Sequence, residues 1–376
     1  MSIRLIVVLT ILTHLSFGGC RVILSLTAIH YEASPFTVGV VLSLLTVVPM
    51  FYALRWGRYV DRVGVRGPML AGIAAILAAM VLGWAVPRME TLFVVSPLAG
   101  AGFFLYHIAV GQAAAVIGTP QDRVKNFTLL ALAYSTAGML GPTLAGFAID
   151  GIGHRHAMLA LAGGALIALV ALGGRRENLA RQGGAPVQGE KRRVADLLRI
   201  PGFRMVFLVS GALSVTWDLF AFVVPIHGSR IGLSATTIGV ILGAFGAAVF
   251  VVRLALPLFS HRVSEWRMLI AAMLISGVVL VAFPLVSGVP LLIALAFLLG
   301  AGLGGTQPLL MALFYAKAPA GRGAEVLSVR TWLINVSQTS VPLAFGALGA
   351  VLGMLPVFWA MGASLLVASW FATRAR

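Results

Sequence analysis

Charged residues and cysteine are scarce in this chain, and each shortage excludes a class of protein. Only 10% of the 376 residues are charged, whereas 60% are hydrophobic and the mean hydropathy is +1.02. No soluble domain needs that much apolar surface, so the composition indicates that the surrounding solvent is lipid. Cys20 is the single cysteine, which excludes an intramolecular disulfide and a metal cluster built from cysteines.

Acidic residues are the scarcer charge, with 11 Asp and Glu against 27 Lys and Arg and a net charge of +16. Nucleic-acid-binding proteins also carry excess base, but here the basic residues gather in alternate connections between apolar stretches. Arg253, Arg262 and Arg267, for example, are interpreted as surrounding one such turn. This is the positive-inside pattern of a membrane protein. We therefore expect no nucleic-acid partner, and both termini in the cytoplasm of a bacterium whose inner membrane holds the chain.

Motifs for several chemistries are absent as well. No phosphate-binding loop of the type G-x-x-x-x-G-K-[ST] occurs, so ATP is not the energy source within this chain. No credible catalytic triad or metal-ligand cluster is found. We expect a protein that is not an enzyme, has no cofactor, draws energy from a proton gradient and works as a monomer among membrane lipids.

Long apolar runs, in contrast, dominate the chain. A helix needs about 20 apolar residues to cross the hydrocarbon core, and backbone groups in lipid must be satisfied within the segment. The alternation typical of a β-barrel is absent, so the fold class is predicted to be an all-α integral membrane protein. Its twelve predicted spans lie at 3–29, 36–56, 68–87, 91–117, 126–149, 156–173, 203–226, 236–258, 268–287, 289–315, 324–349 and 354–372.

The sequence repeats itself at a spacing of 200 residues, with no slip in register. Such a repeat in an apolar chain indicates a transporter made of two bundles around a shared site. We predict a six-helix bundle at 1–173, a cytoplasmic linker at 174–202 and a second six-helix bundle at 203–376. The recurring pairs include Thr37 and Thr237, Gly39 and Gly239, Gly100 and Gly300, Pro142 and Pro342, and Gly146 and Gly346.

The connection after span 2 reads Gly57-Arg58-Tyr59-Val60-Asp61-Arg62-Val63-Gly64-Val65-Arg66. It resembles the signature loop G-x-x-x-D-[RK]-x-G-x-R of the major facilitator superfamily, at the place where that family carries it. The resemblance implies twelve helices in two pseudo-symmetric bundles that alternate in access.

The same resemblance implies a gating role for the loop. Asp61 would pair with nearby arginines and face the N-terminus of span 11, near Ala324, where the helix dipole favours an acid. The open alternative is that Asp61 only neutralises local charge. Arg330, in span 11, is expected either to meet this loop or to snorkel to the surface. The predicted gating residues are Gly57, Asp61, Arg62, Gly64, Arg66, Pro142 and Arg330, the two loop glycines serving turns and close approach.

Span 5 carries Gly141-Pro142 within a glycine-rich segment from Gly138 to Gly146. It resembles the Gly-Pro motif of the superfamily's proton-coupled drug and metabolite efflux branch, although the glycine spacing departs by one residue on each side. Proline kinks a helix, so Pro142 is either a gating element or a kink needed for packing.

Span 4 departs from the family pattern. The family often has a buried arginine there, four residues before a glycine, but this chain has His107 before Gly111. Histidine titrates near neutral pH, unlike arginine. His107 is therefore either a proton-relay residue or a satisfied polar residue within the bundle.

Ionisable groups at bilayer depth are costly and indicate function. Asp218 is the only acid well within a span, so we predict that it carries the proton, with a structural ion pair as the alternative. Positions 21 and 221 correspond in the repeat, so Arg21 is expected at similar depth as its partner or as a contact of an anionic substrate. The predicted substrate-binding residues are Arg21, His14, Gln112, Tyr134, Trp217, Gln307, Asn335 and Gln338.

These features predict a proton-coupled secondary transporter of small organic molecules, with export by antiport favoured by the span 5 resemblance. Uptake of an organic anion by symport, or its passive facilitation, remains the main alternative. Two further alternatives with the same fold are a lipid flippase and a receptor that does not transport.

Overall fold

The computed structural model of the chain describes residues 2–119, 121–174, 201–259, 264–317 and 323–374. Almost all of these residues are helical, which confirms the predicted fold class. The predicted linker falls mainly on residues 175–200, outside the described part. The helices are α1 (Ile3–His30), α2 (Pro35–Val63), α3 (Arg66–Ala85), α4 (Met89–Val116), α5 (Asp122–Gly173), α6 (Pro201–Arg230), α7 (Ala235–Phe259), α8 (Glu265–Ala282), α9 (Val289–Gly304), α10 (Thr306–Lys317), α11 (Gly323–Leu352) and α12 (Met354–Arg374).

Ten helices of the described part are long and apolar enough to cross a membrane, and two details bring the crossings to twelve. The 52 residues of α5 would extend about 78 Å as one helix, more than twice the ~30 Å hydrocarbon core. Gly153, at φ 80° and ψ 162°, breaks it into two crossings. The 30 residues of α11 supply the other. One predicted span, 289–315, is divided at Gly305 into α9 and α10.

The 200-residue repeat is visible in how the helices begin. Ser34 precedes α2 and its Oγ accepts a hydrogen bond from the Thr37 amide at 3.2 Å. Ser234 precedes α7 and accepts from the Thr237 amide at 3.1 Å. A side-chain oxygen in this position satisfies an amide that has no partner within the helix, so the same cap starts both helices.

Two helix pairs join the halves, and we call them the α5/α7 seam and the α2/α11 seam. A Cβ added at Gly239 would lie 2.5 Å from the Pro142 carbonyl oxygen, and one added at Gly39 would overlap the Pro342 carbonyl oxygen. Gly146 packs in the same way on Ala235, and Gly346 on Pro35. The repeated residues Gly39, Gly239, Pro142, Pro342, Gly146 and Gly346 thus lie where the two halves touch.

Each seam runs from one end of the bundle toward its middle. We name the ends by their residues: the Asp150 end, where α2 and α7 begin, and the Asp61 end, where α2 and α7 finish. At the Asp150 end the carboxylate of Asp150 accepts hydrogen bonds from the amides of Ala235 at 3.2 Å and Thr236 at 2.7 Å. An acid on the exposed amides of a helix N-terminus is favourable, so this contact fastens α5 to α7.

Candidate substrate and proton site

A cavity of about 470 Å³ lies between the two halves, and a second of about 340 Å³ adjoins it. The walls come from α1, α2 and α4 on one side and from α6, α7, α10 and α11 on the other, with α5 at the smaller cavity. Volumes of this size suit small organic ligands. Six residues line both cavities: His14, Phe17, Arg21, His107, Trp217 and Arg253.

Asp218 on α6 and Arg21 on α1 meet across the boundary between the halves. Arg21 Nη1 lies 3.7 Å from Asp218 Oδ1, and Arg21 Nη2 donates to the backbone carbonyl of Asp218 at 3.3 Å. Gln338 Nε2 donates to the same Oδ1 at 3.3 Å. Asp218 is 5% exposed, yet it lines the larger cavity. The predicted partner of Asp218 is therefore in contact with it, although the proton-carrying role stays a prediction.

An aromatic and imidazole wall forms the part of the cavity that belongs to the first half. The Tyr134 ring lies 4.8 Å from the His14 ring and 5.1 Å from the His107 ring, between centroids. Phe103 lies 4.7 Å and 5.8 Å from the same two rings. His14 Nδ1 is buried and has no hydrogen-bond partner among the described residues. The fold thus brings three predicted residues into one surface that a ligand can reach.

The second half supplies polar groups to the opposite wall. Four residues predicted to bind substrate line the larger cavity there: Trp217, Gln307, Asn335 and Gln338. The Trp217 ring packs edge-on against Phe245, with centroids 4.9 Å apart. Ser214, which the sequence analysis did not single out, also lines the cavity, and its buried Oγ has no hydrogen-bond partner among the described residues.

Arg253 is the cavity residue that sequence reasoning misplaced. The sequence analysis groups it with the arginines that surround the turn after α7, although it lies within the predicted span 236–258, and in the structure it points inward onto α5. Its Nη1 donates to Ser135 Oγ at 2.8 Å and to the Ala131 carbonyl at 3.3 Å, and Arg253 lines both cavities. The available signal was its position five residues before the end of the predicted span 236–258, where a long side chain can point either way.

Comparison with protein-family models identifies the family of the chain. A family model described as Major Facilitator Superfamily matches residues 6–289 and 206–376, and so covers both halves. The chain belongs to this superfamily. Membership makes it a membrane transporter of small molecules and not an enzyme, as the sequence predicted.

Solved structures of other superfamily members have the same fold. A POT peptide transporter in complex with sulfate is 14% identical, with a TM-score of 0.81 over 99% of this chain and 93% of that one. A POT family transporter in complex with a thioalcohol-conjugated peptide is 15% identical, with a TM-score of 0.81 over 99% and 95%. The nucleoside transporter NupG is 10% identical, with a TM-score of 0.80 over 99% of each chain. No curated protein matches the chain. At these identities the likeness shows the fold alone.

The superfamily's signature loop has an unexpected partner. Asp61 is exposed, and its Oδ1 accepts a hydrogen bond from Gln112 Nε2 on α4 at 2.6 Å. Gln112 does not line either cavity, and its predicted contact with substrate stays a prediction. The described contact of Asp61 stays within the first half, whereas the sequence had predicted a partner at the start of span 11.

The other residues of the signature loop have different structural roles. Gly64 ends α2 with φ 84°, a conformation that glycine adopts without strain, as predicted. Gly57 lies inside α2, and a Cβ there would meet nothing within 4 Å, so close approach does not explain it. Arg66 begins α3, and its Nη2 donates to the Gly173 carbonyl at 3.0 Å. Arg62 is exposed in the last turn of α2.

Arg330 lies deeper than predicted. It is 7% exposed, so it does not snorkel to the surface. Its Nε donates to Ser210 Oγ on α6 at 3.2 Å, and its Nη2 donates to Gln307 Oε1 on α10. The guanidinium carbon also lies 5.9 Å from the centroid of the Phe314 ring. These contacts connect α6, α10 and α11 beside the cavity, which Gln307 lines.

Pro142 lies on the α5/α7 seam. Its carbonyl faces Gly239, and Thr143 Oγ1 beside it donates to the Gly239 carbonyl at 3.4 Å. Pro142 also lines the smaller cavity. Pro142 therefore lies where the seam and the cavity meet, and its gating role stays a prediction.

Proposed function

We propose that this protein is a proton-coupled secondary transporter of small organic molecules that works by alternating access, with Asp218 as the proton carrier. The observation that carries the proposal is the ion pair of buried Asp218 and half-buried Arg21, which bridges the two halves at the cavity. Protonation of Asp218 removes its charge and with it the attraction for Arg21. The equilibrium between the two access states then shifts, because one of the links between the halves is lost.

The energy available is adequate for this role. One proton moving down a membrane potential of about 100 mV supplies roughly 2.3 kcal/mol, which sustains a substrate gradient of about fifty-fold. We propose that the gradient drives export by antiport, with His107, which lines the same cavity as Asp218, as a secondary proton group. The support for export is the Gly141-Pro142 segment, which the structure places on the α5/α7 seam.

Uptake by symport is the second candidate, and the cavity itself favours it. Two arginines and one acid line the larger cavity, so an organic anion that enters with a proton would be held there. Among the structural neighbours, one is a peptide transporter in complex with sulfate and another a nucleoside transporter. The proposal takes from them a small polar or anionic cargo.

Replacement of the carboxyl group tests the coupling. Asp218→Asn keeps the size and the contact with Gln338 but cannot ionise, so we expect proteoliposomes to lose proton-driven accumulation or extrusion while substrate exchange continues. The cargo is first identified by a thermal-shift screen of organic anions, cations and sugars on the purified protein. Glu265→Gln, an exposed acid at the start of α8, is the matched control. Coupling that survives in Asp218→Asn contradicts the assignment, and the sign of transport under an imposed pH gradient separates antiport from symport.

We also propose that both termini face the cytoplasm of a bacterial inner membrane, which puts the Asp61 end inside. The support is the clustering of basic residues at that end. In a Cys20→Ser background, a cysteine placed at Glu32 should react with an impermeant maleimide in intact cells, and one placed at Arg58 should not. The reverse labelling pattern contradicts this orientation.

A further inference from the structure

The charges that line the two cavities do not balance. The carboxylate, guanidinium and imidazole side chains on these walls are Arg21, Arg253, Asp218, His14 and His107. Asp218 is engaged by Arg21, and the described lining holds no other carboxylate. One guanidinium therefore faces the cavities without an opposite charge.

The surroundings of Arg253 satisfy its hydrogen bonds only in part. Both described hydrogen bonds leave from Nη1, toward the Ser135 hydroxyl and the Ala131 carbonyl. These partners are neutral and fix the orientation of the planar group without compensating its charge. A guanidinium at bilayer depth is normally paired with an acid or serves a ligand, and its rigid fork matches carboxylate, phosphate and sulfonate groups.

Three further polar atoms on the same walls lack hydrogen-bond partners among the described residues: Arg21 Nε, Ser214 Oγ and His14 Nδ1. Ser214 is 4% exposed and its Oγ has no hydrogen bond, and the same holds for the buried Nδ1 of His14. Both residues line the larger cavity together with Arg253. Buried polar groups are normally satisfied, and exceptions point to a missing ligand or water. The guanidinium of Arg253, which has no acidic partner, and these three polar atoms therefore describe a site that suits a polar head group.

Aromatic rings form a large apolar part of the same lining. The Phe17 and Phe103 rings are stacked with centroids 3.8 Å apart, and Trp217 contributes to both cavities. These surfaces suit the body of a ligand whose charged group lies elsewhere.

We propose that the cavity binds an organic anion with an apolar or aromatic body, and that Arg253 receives its acidic group. In the proposed complex the Nε–Nη2 edge of Arg253 makes paired hydrogen bonds to the acid, while Ser135 holds the other side of the guanidinium. Arg21 stays with Asp218, which leaves the proton site and the anion site separate. The inference rests on the proposed function in that it names the class of cargo.

Matched acids and amides test the proposal directly. Benzoate, 1-naphthoate and 4-phenylbutyrate are each compared with the corresponding neutral amide, by calorimetric titration of the purified full chain in detergent without any gradient. We expect at least one acid to bind ten-fold or more tightly than its amide. Arg253→Gln should remove that preference and leave amide binding unchanged, because only the charge contact is lost.

Two further variants keep the result interpretable. Arg253→Lys retains the charge but not the fork, so it should show an intermediate preference for the acid even if Arg253→Gln fails to fold. Arg267→Gln, at an exposed arginine of α8, should bind like the wild-type protein. The proposal is overturned if no acid binds better than its amide, if Arg253→Gln keeps the preference, or if acid and amide binding fall together.

The outcome is independent of the coupling test. Binding is measured at equilibrium, so a loss of acid binding in Arg253→Gln supports the anion site even if Asp218→Asn still couples transport to protons. Conversely, coupling that depends on Asp218 stands even if the acids do not bind.

Discussion

The two seams between the halves have the same frame but different chemistry. Where the α5/α7 seam packs Gly246 against Gly138 and Met139, the α2/α11 seam has a hydrogen bond of 2.9 Å between Thr46 and Thr339. Close backbone packing is common to both seams, because glycine lets helices of opposite halves approach each other.

When residues 200 positions apart are compared between the two seams, the charged members lie on the α5/α7 seam. Asp150 fastens the α5/α7 seam at one end, and Arg253 bonds across it nearer the other. Their counterparts 200 residues away are Ala350 and Ala53. The α2/α11 seam also begins with Pro35, which has no amide hydrogen to offer an acid. The α5/α7 seam therefore carries contacts that respond to charge, whereas the other seam depends on packing and a hydroxyl pair.

The largest expected effect comes from disturbing the shared frame. Gly239→Ala and Gly39→Ala each place a methyl group against a proline carbonyl of the opposite half, and overpacking of this kind costs about 1–3 kcal/mol. We expect both variants to melt at a lower temperature in detergent and to transport more slowly. Gly57→Ala is the control, since its methyl group would enter open space. Equal melting temperatures for all three would show that the seams are not tightly packed.

An intermediate effect is expected from the charged contact at the end of the α5/α7 seam. Asp150→Ala removes the acceptor for two amides at the start of α7, a loss of about 0.5–2 kcal/mol for a helix cap. The Asp150 end should then open more often. In a Cys20→Ser background, a cysteine at the cavity position Leu242 should react faster with a maleimide added at that end.

Glu90→Gln is the matched control for this prediction, because Glu90 is an exposed acid in the first turn of α4 at the same end. It should leave the labelling rate unchanged. If Asp150→Ala labels no faster than this control, the acid is not what keeps the α5/α7 seam closed.

The smallest effect is expected on the α2/α11 seam. Thr46→Val and Thr339→Val each remove one hydroxyl of a neutral pair, worth about 0.5–1.5 kcal/mol. A double-mutant cycle on the melting temperature should show that the second substitution costs less once the first is present. Additive effects would mean that the two hydroxyls do not interact, and the seam would then be held by packing alone.

Residues on opposite halves were predictable where the repeat fixed their register. Asp218 and Arg21 were expected at one depth because positions 21 and 221 correspond, and the two side chains meet. Gln112 and Arg330 were predicted less well. Each is a long polar side chain on a helix whose rotation sequence alone does not fix, and each bonds to a neighbour other than the one expected.

Arg253 also shows that the sequence does not fix the direction of a long side chain: it was expected at a turn, and it points into the bundle. Hydropathy marks where an apolar stretch weakens, so an arginine near its end is interpreted as part of the adjoining turn. Whether the guanidinium turns to the lipid surface or into the bundle depends on Ser135 and Ala131, which lie more than a hundred residues away in the chain.

The sequence by itself determined the membrane environment, the twelve crossings, the pseudo-symmetric halves and the superfamily, because each follows from composition or from residues close together in the chain. The tertiary structure decided which polar groups face the cavity and which charges remain unpaired. These depend on helix rotation and on contacts between distant segments, where a shift of one residue changes the partner of a side chain.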